Sequence, residues 1–206
     1  MTGLLIAFEG GDASGKTTQA RRISDLIGAF FTREPGGTEV GESLRDLLLD
    51  AQTSLAFRTE ALLMAASRAQ LVEEVIRPNL ENGIHVVSDR FLASSLVYQG
   101  YATGLPVNDV RELSIFATNG LLPDLTVLID VPVELSMQRR TDMPDRFESE
   151  TTEFHEKVRR GYLALAESDL ERWVVIDGSG SLEQVSSLVD QAITGHLGLS
   201  LTSSSS

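Results

Sequence analysis

The chain has 206 residues, 42% of them hydrophobic, enough for one substantial core and too few for two comfortable domains. Thirty acidic residues against 17 basic ones give a net charge of -13, which repels phosphodiester backbones and anionic membrane surfaces and argues against a nucleic-acid partner. Cysteine is absent, which removes disulfides, thiolate metal sites and a cysteine nucleophile from consideration. No run approaches the roughly 18 apolar residues of a membrane span, and Met1 is not followed by a basic segment and a long apolar one, so a cytoplasmic protein with no membrane partner is expected.

Short apolar runs alternate with longer amphipathic stretches, the pattern of a parallel α/β sheet covered by helices on both faces. A strand over Leu4–Phe8 leads through a glycine-rich loop into a helix over Thr17–Ile27. A strand over Ala29–Thr32 follows, then the loop Glu34-Pro35-Gly36-Gly37-Thr38 and helices over Val40–Leu49 and Phe57–Arg77. Pro78, which cannot donate to a helix ladder, is expected to end the latter. Next come a strand over Ile84–Ser88, a helix over Val107–Asn119, a strand over Thr126–Asp130 and a helix over Val133–Arg139. A polar loop from Arg140 to Glu150 precedes a helix over Thr152–Ala166, a strand over Trp173–Ile176 and a helix over Leu182–Gly195. Residues 1–197 are expected to form one domain. The stretch 198–206, ending in four serines, is expected to be a disordered tail with no core to join.

The loop after the first strand, Gly10-Gly11-Asp12-Ala13-Ser14-Gly15-Lys16-Thr17, satisfies G-x-x-x-x-G-K-[ST] in the strand–loop–helix setting that the motif requires. Its glycines let backbone N–H groups point inward at phosphate oxygens, and the following helix adds its positive end. Lys16, one of only two lysines in the chain, is placed to reach the β- and γ-phosphates, and the Thr17 hydroxyl to ligate Mg²⁺. With Thr18, these residues form the expected ATP-binding set. The loop alone does not separate kinases from other nucleotide hydrolases. No N-K-x-D guanine-reading motif is present, and Glu9 stands where partitioning ATPases usually place a lysine. A kinase needs a second anion site, for which the planar fork of arginine is suited. Asp89-Arg90 closes the third strand at its carboxyl end, where open parallel sheets bind ligands, so Arg90 should face the crevice of Lys16. Asp89 is open to two readings, the metal site or the cap of a helix starting near Leu92.

With these residues in view, the chain resembles the bacterial thymidylate kinases over nearly its whole length. The resemblance rests on Arg33-Glu34-Pro35-Gly36-Gly37-Thr38, on Asp89-Arg90 followed by Tyr98-Gln99-Gly100, and on Asp145-Arg146-Phe147-Glu148, together with the P-loop. It implies a three-layer P-loop fold with a five-stranded parallel sheet, a homodimer, a mobile lid at about 140–150, and phosphorylation of dTMP by ATP and Mg²⁺. It further implies that Asp12 accepts a hydrogen bond from the 3′-hydroxyl, and that Arg45 and Arg68 contact the acceptor. Ser95, Tyr98 and Gln99 would line the base and sugar pocket. With no arginine inside the P-loop, the catalytic arginine is expected from the lid, which offers Arg139, Arg140 and Arg146. Met64 stands where the family commonly stacks phenylalanine on thymine, and Phe91 where tyrosine or histidine is usual.

The residues themselves support part of this. Met64 and Arg68 share a helix face that is otherwise apolar, and a charge there asks for a polar partner unless Arg68 reaches out to solvent. Met64 is open to a pocket role or to core filling. His85, His155 and His196 fall in no catalytic arrangement and are read as structural or surface residues. None is needed. An acceptor phosphate monoester, with a second pKa of about 6, is already largely dianionic and attacks without surrendering a proton. A different nucleoside monophosphate as acceptor, or a nucleotide-dependent switch without turnover, are the alternative readings.

Overall fold

A computed structural model of the chain describes residues 2–140, 146–199 and 201. Among these, five parallel strands form one sheet in the order β2-β3-β1-β4-β5, with β1 Leu5–Glu9, β2 Phe30–Arg33, β3 Val86–Asp89, β4 Leu125–Asp130 and β5 Trp173–Asp177. The expected strands lie within two residues of these. β1 is buried along its length because helices cover both faces of the sheet. Its side chains alternate: Leu5 and Ala7 join one apolar cluster with Leu71, Ile76, Phe91, Leu96 and Tyr162, whereas Ile6 and Phe8 join another with Ile23, Val127, Val189 and Ile193. The result is the three-layer α/β architecture anticipated from the sequence.

Helices α1 (Lys16–Ile27) and α9 (Leu182–Leu197) cover the second cluster. On the other face lie α3 (Phe57–Leu71), α5 (Leu92–Ser95), α6 (Val107–Thr118) and α8 (Thr152–Ser168). Between β2 and α3, α2 (Glu39–Leu49) starts at Thr38, whose hydroxyl accepts the Gly41 N–H at 2.9 Å. The short α7 (Val133–Gln138) leads to Arg139 and Arg140.

Three expectations are corrected. Pro78 does not end the third helix. A wide turn over Val72–Ile76, in which the Arg77 N–H reaches back to Val72 O, precedes a short α4 (Arg77–Glu81), so Pro78 falls in a first turn where its missing N–H is harmless. Second, the helix starting near Leu92, to which the sequence assigned no extent, spans residues 92–102, α5 running into a wide turn over Leu96–Ala102. This stretch is buried nearly all round, so it shows no polar stripe by which to recognise it. Third, contact with the core extends past Leu197: Gly198 caps α9 at φ +64, and Leu199 and Leu201 pack against the second cluster. The rest of the serine-rich tail, 202–206, lies outside the described residues.

Candidate active site

The P-loop sits at the carboxyl end of the central strand. Gly10 has φ +147, and a Cβ there would stand 2.6 Å from Ile129 O and 2.9 Å from Ser14 Oγ, so only glycine fits where the chain leaves β1. Gly15, at φ +88, opens α1. Lys16 is buried, turns Nζ to Gly11 O at 3.2 Å and stands 4.0 Å from Asp12 Oδ1. Burial, with Arg90 adding to it, holds its ammonium pKa below the usual value. Thr18 is exposed in the first turn of α1, and Ala13 borders the cavity described below.

Thr17 Oγ1 donates to Asp89 Oδ2 at 2.5 Å, while Asp89 Oδ1 is buried without a hydrogen-bond partner among the described residues. Asp89 does not cap α5, which has no side-chain cap from its own N-cap residue Phe91. Glu9 of β1 takes that place, its Oε1 accepting the N–H groups of Phe91 at 2.8 Å and Ser94 at 3.3 Å. A hydroxyl and a carboxylate with an uncommitted oxygen suit Mg²⁺, which takes its remaining ligands from phosphates and water. Among the described residues no cluster of three or more His, Cys, Asp or Glu forms a metal cage of its own.

Arg90 adopts φ +70, a left-handed conformation that costs a non-glycine residue on the order of 1–3 kcal/mol. Several contacts hold it there. Nη1 donates to Gly10 O, Ser94 Oγ and Tyr162 OH, each at 3.1 Å, and Nη2 to Asp12 Oδ1 at 2.5 Å and Tyr98 OH at 3.3 Å. Tyr98 OH in turn donates to Asp12 Oδ2 at 3.2 Å. Burial disfavours the Asp12 carboxylate, yet Arg90 and then Lys16 outweigh it and keep the carboxyl below its usual range.

From this end a cavity of about 300 Å³ runs to α2 and α3. It brings Asp12, Lys16, Thr17, Asp89 and Arg90 together with Arg45, Met64, Arg68, Ser95, Tyr98 and Gln99. Arg68 is only 2% exposed, so it does not reach out to solvent. Its partner is Glu34, at 2.7 Å from Nε, and Nη2 adds bonds to Ser95 Oγ at 3.0 Å and Phe91 O at 3.4 Å. Burial pushes the Glu34 carboxyl up to about 7 despite the attraction of Arg68. Met64 is half-buried on the cavity wall and belongs to neither core cluster. Arg45 Nη1 donates to Pro35 O at 2.8 Å, and Gln99 Nε2 to Glu60 Oε1 at 2.7 Å.

A phosphate cradle thus faces a second, cation-lined compartment on a P-loop α/β sheet. The sequence model of the thymidylate kinase family matches residues 8–189. The chain belongs to the thymidylate kinase family. It is 44% identical over 200 residues to the thymidylate kinase of Neisseria meningitidis serogroup B, covering 94% of this chain and 97% of that protein. It is 46% identical over 203 residues to that of Caldanaerobacter subterraneus subsp. tengcongensis, covering 96% and 98%. With the thymidylate kinase of Thermoanaerobacter sp. it shares 47% identity over 191 residues, 90% of this chain and 94% of the other.

In this thymidylate kinase-family chain the three arginines expected of a lid diverge. Arg139 donates to Gly178 O at 2.9 Å and Ser179 O at 3.3 Å, beyond β5. Arg140 donates to Glu148 O at 2.8 Å and meets His155 Nε2 at 3.3 Å, and its Nε is buried without a partner among the described residues. Burial, then Arg140, holds the His155 imidazole below its usual pKa, which leaves a ring nitrogen able to accept from the guanidinium. Arg146 lies against α2 and α3, donating to Glu60 Oε2 at 2.6 Å and Leu48 O at 2.8 Å. Residues 141–145, including Asp145, lie outside the described residues.

Sequence reasoning gave no role to Glu9, Glu34, Glu60, Ser94 or Tyr162. A signal existed for two of them. Glu9 is a charge closing an apolar strand, and Glu60 precedes Met64 and Arg68 by one and two helical turns on the same face of α3. Tyr162 is an ordinary aromatic of an amphipathic helix and carries no such signal.

Proposed function

We propose that the chain transfers the γ-phosphoryl group of ATP to dTMP in the presence of Mg²⁺, giving dTDP for dTTP synthesis. The observation that carries this reading is the single cavity joining the Lys16–Arg90 end to the Met64–Arg68–Gln99 end. Gly10 to Thr18 and Arg139 serve ATP, with Lys16 and Arg90 meeting the transferring group and Arg140 or Arg146 adding charge from the lid. Asp12 reads the 3′-hydroxyl. Arg45, Met64, Arg68, Ser95, Tyr98 and Gln99 hold the acceptor. Gln99 commits its amide N–H to Glu60, which presents its carbonyl oxygen as an acceptor for the base. Thr17 and Asp89 would hold Mg²⁺, which would supply positive charge to the phosphate oxygens. An ADP-release assay at fixed ATP and Mg²⁺ across nucleoside monophosphates tests the assignment. The highest kcat/KM is expected with dTMP, and a higher value with another acceptor would overturn it.

Met64 on the cavity wall yields a second expectation. A thioether packs on a pyrimidine but lacks a flat aromatic face, so Met64→Phe should lower the KM for dTMP by a few-fold, with kcat little altered. A lower melting temperature with unchanged KM would instead mark Met64 as packing only, since a bulkier ring in a filled space costs about 1–3 kcal/mol.

A cytoplasmic homodimer completes the reading. Among the described residues no helix is long and apolar enough to cross a membrane. Phe57 and Leu62 on α3 and Phe116 on the neighbouring α6, the last 84% exposed, give an apolar surface suited to a second copy.

A further inference from the structure

Glu9 is fully buried at the end of β1, one residue before the P-loop. Its Oε1 caps α5, but its Oε2 does something a helix cap does not require: it accepts the hydroxyls of Ser94 at 2.7 Å and Tyr162 at 2.9 Å. Those two hydroxyl oxygens lie 2.8 Å apart, and each also receives Arg90 Nη1 at 3.1 Å. We infer that Glu9 is a positioning residue for Arg90, absorbing the hydroxyl protons of Ser94 and Tyr162 so that their lone pairs hold the guanidinium at the phosphate site.

Proton accounting leads there. Four atoms close a ring: Glu9 Oε2, Ser94 Oγ, Tyr162 OH and Arg90 Nη1. The guanidinium brings only donors, and each hydroxyl brings one proton and two lone pairs. Two hydroxyl protons therefore need acceptors that are not Arg90. One could pass to the neighbouring hydroxyl, but the other has nowhere to go unless the fourth member is proton-free. A carboxylate meets this need, because it leaves both hydroxyl protons an acceptor other than Arg90, whether each goes to Oε2 or one goes to the neighbouring hydroxyl. The contacts also matter to the backbone, since Arg90 sits at φ +70 and must be held there. Full burial holds the Glu9 carboxyl above its usual pKa, and Arg90 with the bonds from Ser94, Phe91 and Tyr162 offsets that penalty only in part.

The inference rests on Arg90 meeting the transferring phosphoryl group, so Arg90→Ala is the reference variant. Glu9→Gln is the test. Glutamine keeps the volume and can keep an oxygen on the Phe91 and Ser94 amides, but it places an NH₂ group where Oε2 stood, and one hydroxyl proton is left facing the guanidinium. The kcat of Glu9→Gln should fall on the order of 10²-fold, by much more than either KM rises, with the melting temperature nearly kept. Adding Tyr162→Phe removes one of the competing protons, so the double variant should recover part of the kcat lost by Glu9→Gln alone. That recovery is not expected of a residue that only packs.

If Arg90→Ala loses activity while Glu9→Gln keeps kcat within about threefold of the parent, this inference alone fails. Multiplying losses in the double variant would also overturn it. Full activity in Arg90→Ala would sink the site assignment and the inference with it. Should Glu9→Gln not fold, Ser94→Ala and Tyr162→Phe each withdraw one acceptor from Nη1 and should each lower kcat about tenfold. Full kcat in both would overturn the inference.

Discussion

Lys16→Ala and Arg90→Ala should each lower kcat by a factor on the order of 10² or more. The uncatalysed obstacle is bringing two polyanions together, and little covalent chemistry is left for the protein to perform. Lys16 is poised for this, because its hydrogen bond in the structure goes to a neutral carbonyl, Gly11 O. Arg90 acts twice. Besides its own charge, it holds Asp12 at 2.5 Å, and without it the carboxylate is left with Lys16 as its ion-pair partner at 4.0 Å. Drawing Lys16 onto Asp12 would remove a second cation from the phosphate, so Arg90→Ala is expected to be at least as damaging as Lys16→Ala. Steady-state ADP release beside circular dichroism decides the matter: a folded variant with near-parental turnover has lost nothing that touches the transition state.

The largest expected loss of stability belongs to Arg68→Ala. Arg68 and Glu34 are both buried, and removing one member of such a pair costs about 3–5 kcal/mol, because the other is left charged without compensation or must take up a proton to avoid it. The penalty should depend on pH. The Glu34 carboxyl rises from 4.5 to about 7 in the folded chain, so its contribution is fully present below the unfolded value and is lost as pH rises through about 7. Without Arg68 that folded value climbs further and the loss continues to higher pH. Urea unfolding should therefore show a larger difference between parent and Arg68→Ala at pH 8 than at pH 5. Glu34→Ala in the same chain should restore part of the deficit. A difference below about 1 kcal/mol, or one independent of pH, would show that the pair is not a buried ionic contact of this kind.

Much of the fold was legible because the strands are short, apolar and separated by amphipathic helices whose polar faces are regular. Of the stretch 92–102 only a helix start near Leu92 was legible and not its extent, since burial on nearly all sides erases the polar face on which helix periodicity depends. Pro78 misled for a local reason: a wide turn absorbs it, and such turns leave no compositional mark. At the site, residues tied to a linear motif could be named from spacing, among them Lys16, Thr17, Asp89 and Arg90. The carboxylates that orient them were harder. Glu9, Glu34 and Glu60 act through partners distant in sequence, and spacing along one chain says nothing about which hydroxyl or guanidinium will arrive opposite them. Arg68 shows the boundary well, because its need for a polar partner follows from an apolar helix face, whereas the identity of that partner as Glu34 does not.

The hydrogen bonds around Arg90 span 78 residues to Asp12 and 72 to Tyr162, and the bond from Tyr162 to Glu9 spans 153. No hairpin or helix pair of this chain can build that cage locally. Loop closure over such separations comes before the contacts that repay it, which places assembly of the cage among the slow, topology-limited events of folding. During refolding from denaturant, helical signal should return ahead of enzymatic turnover, and a fragment ending before α8 would lack the tyrosine that closes the ring. Activity in this protein is consequently a late and global reporter of the native state.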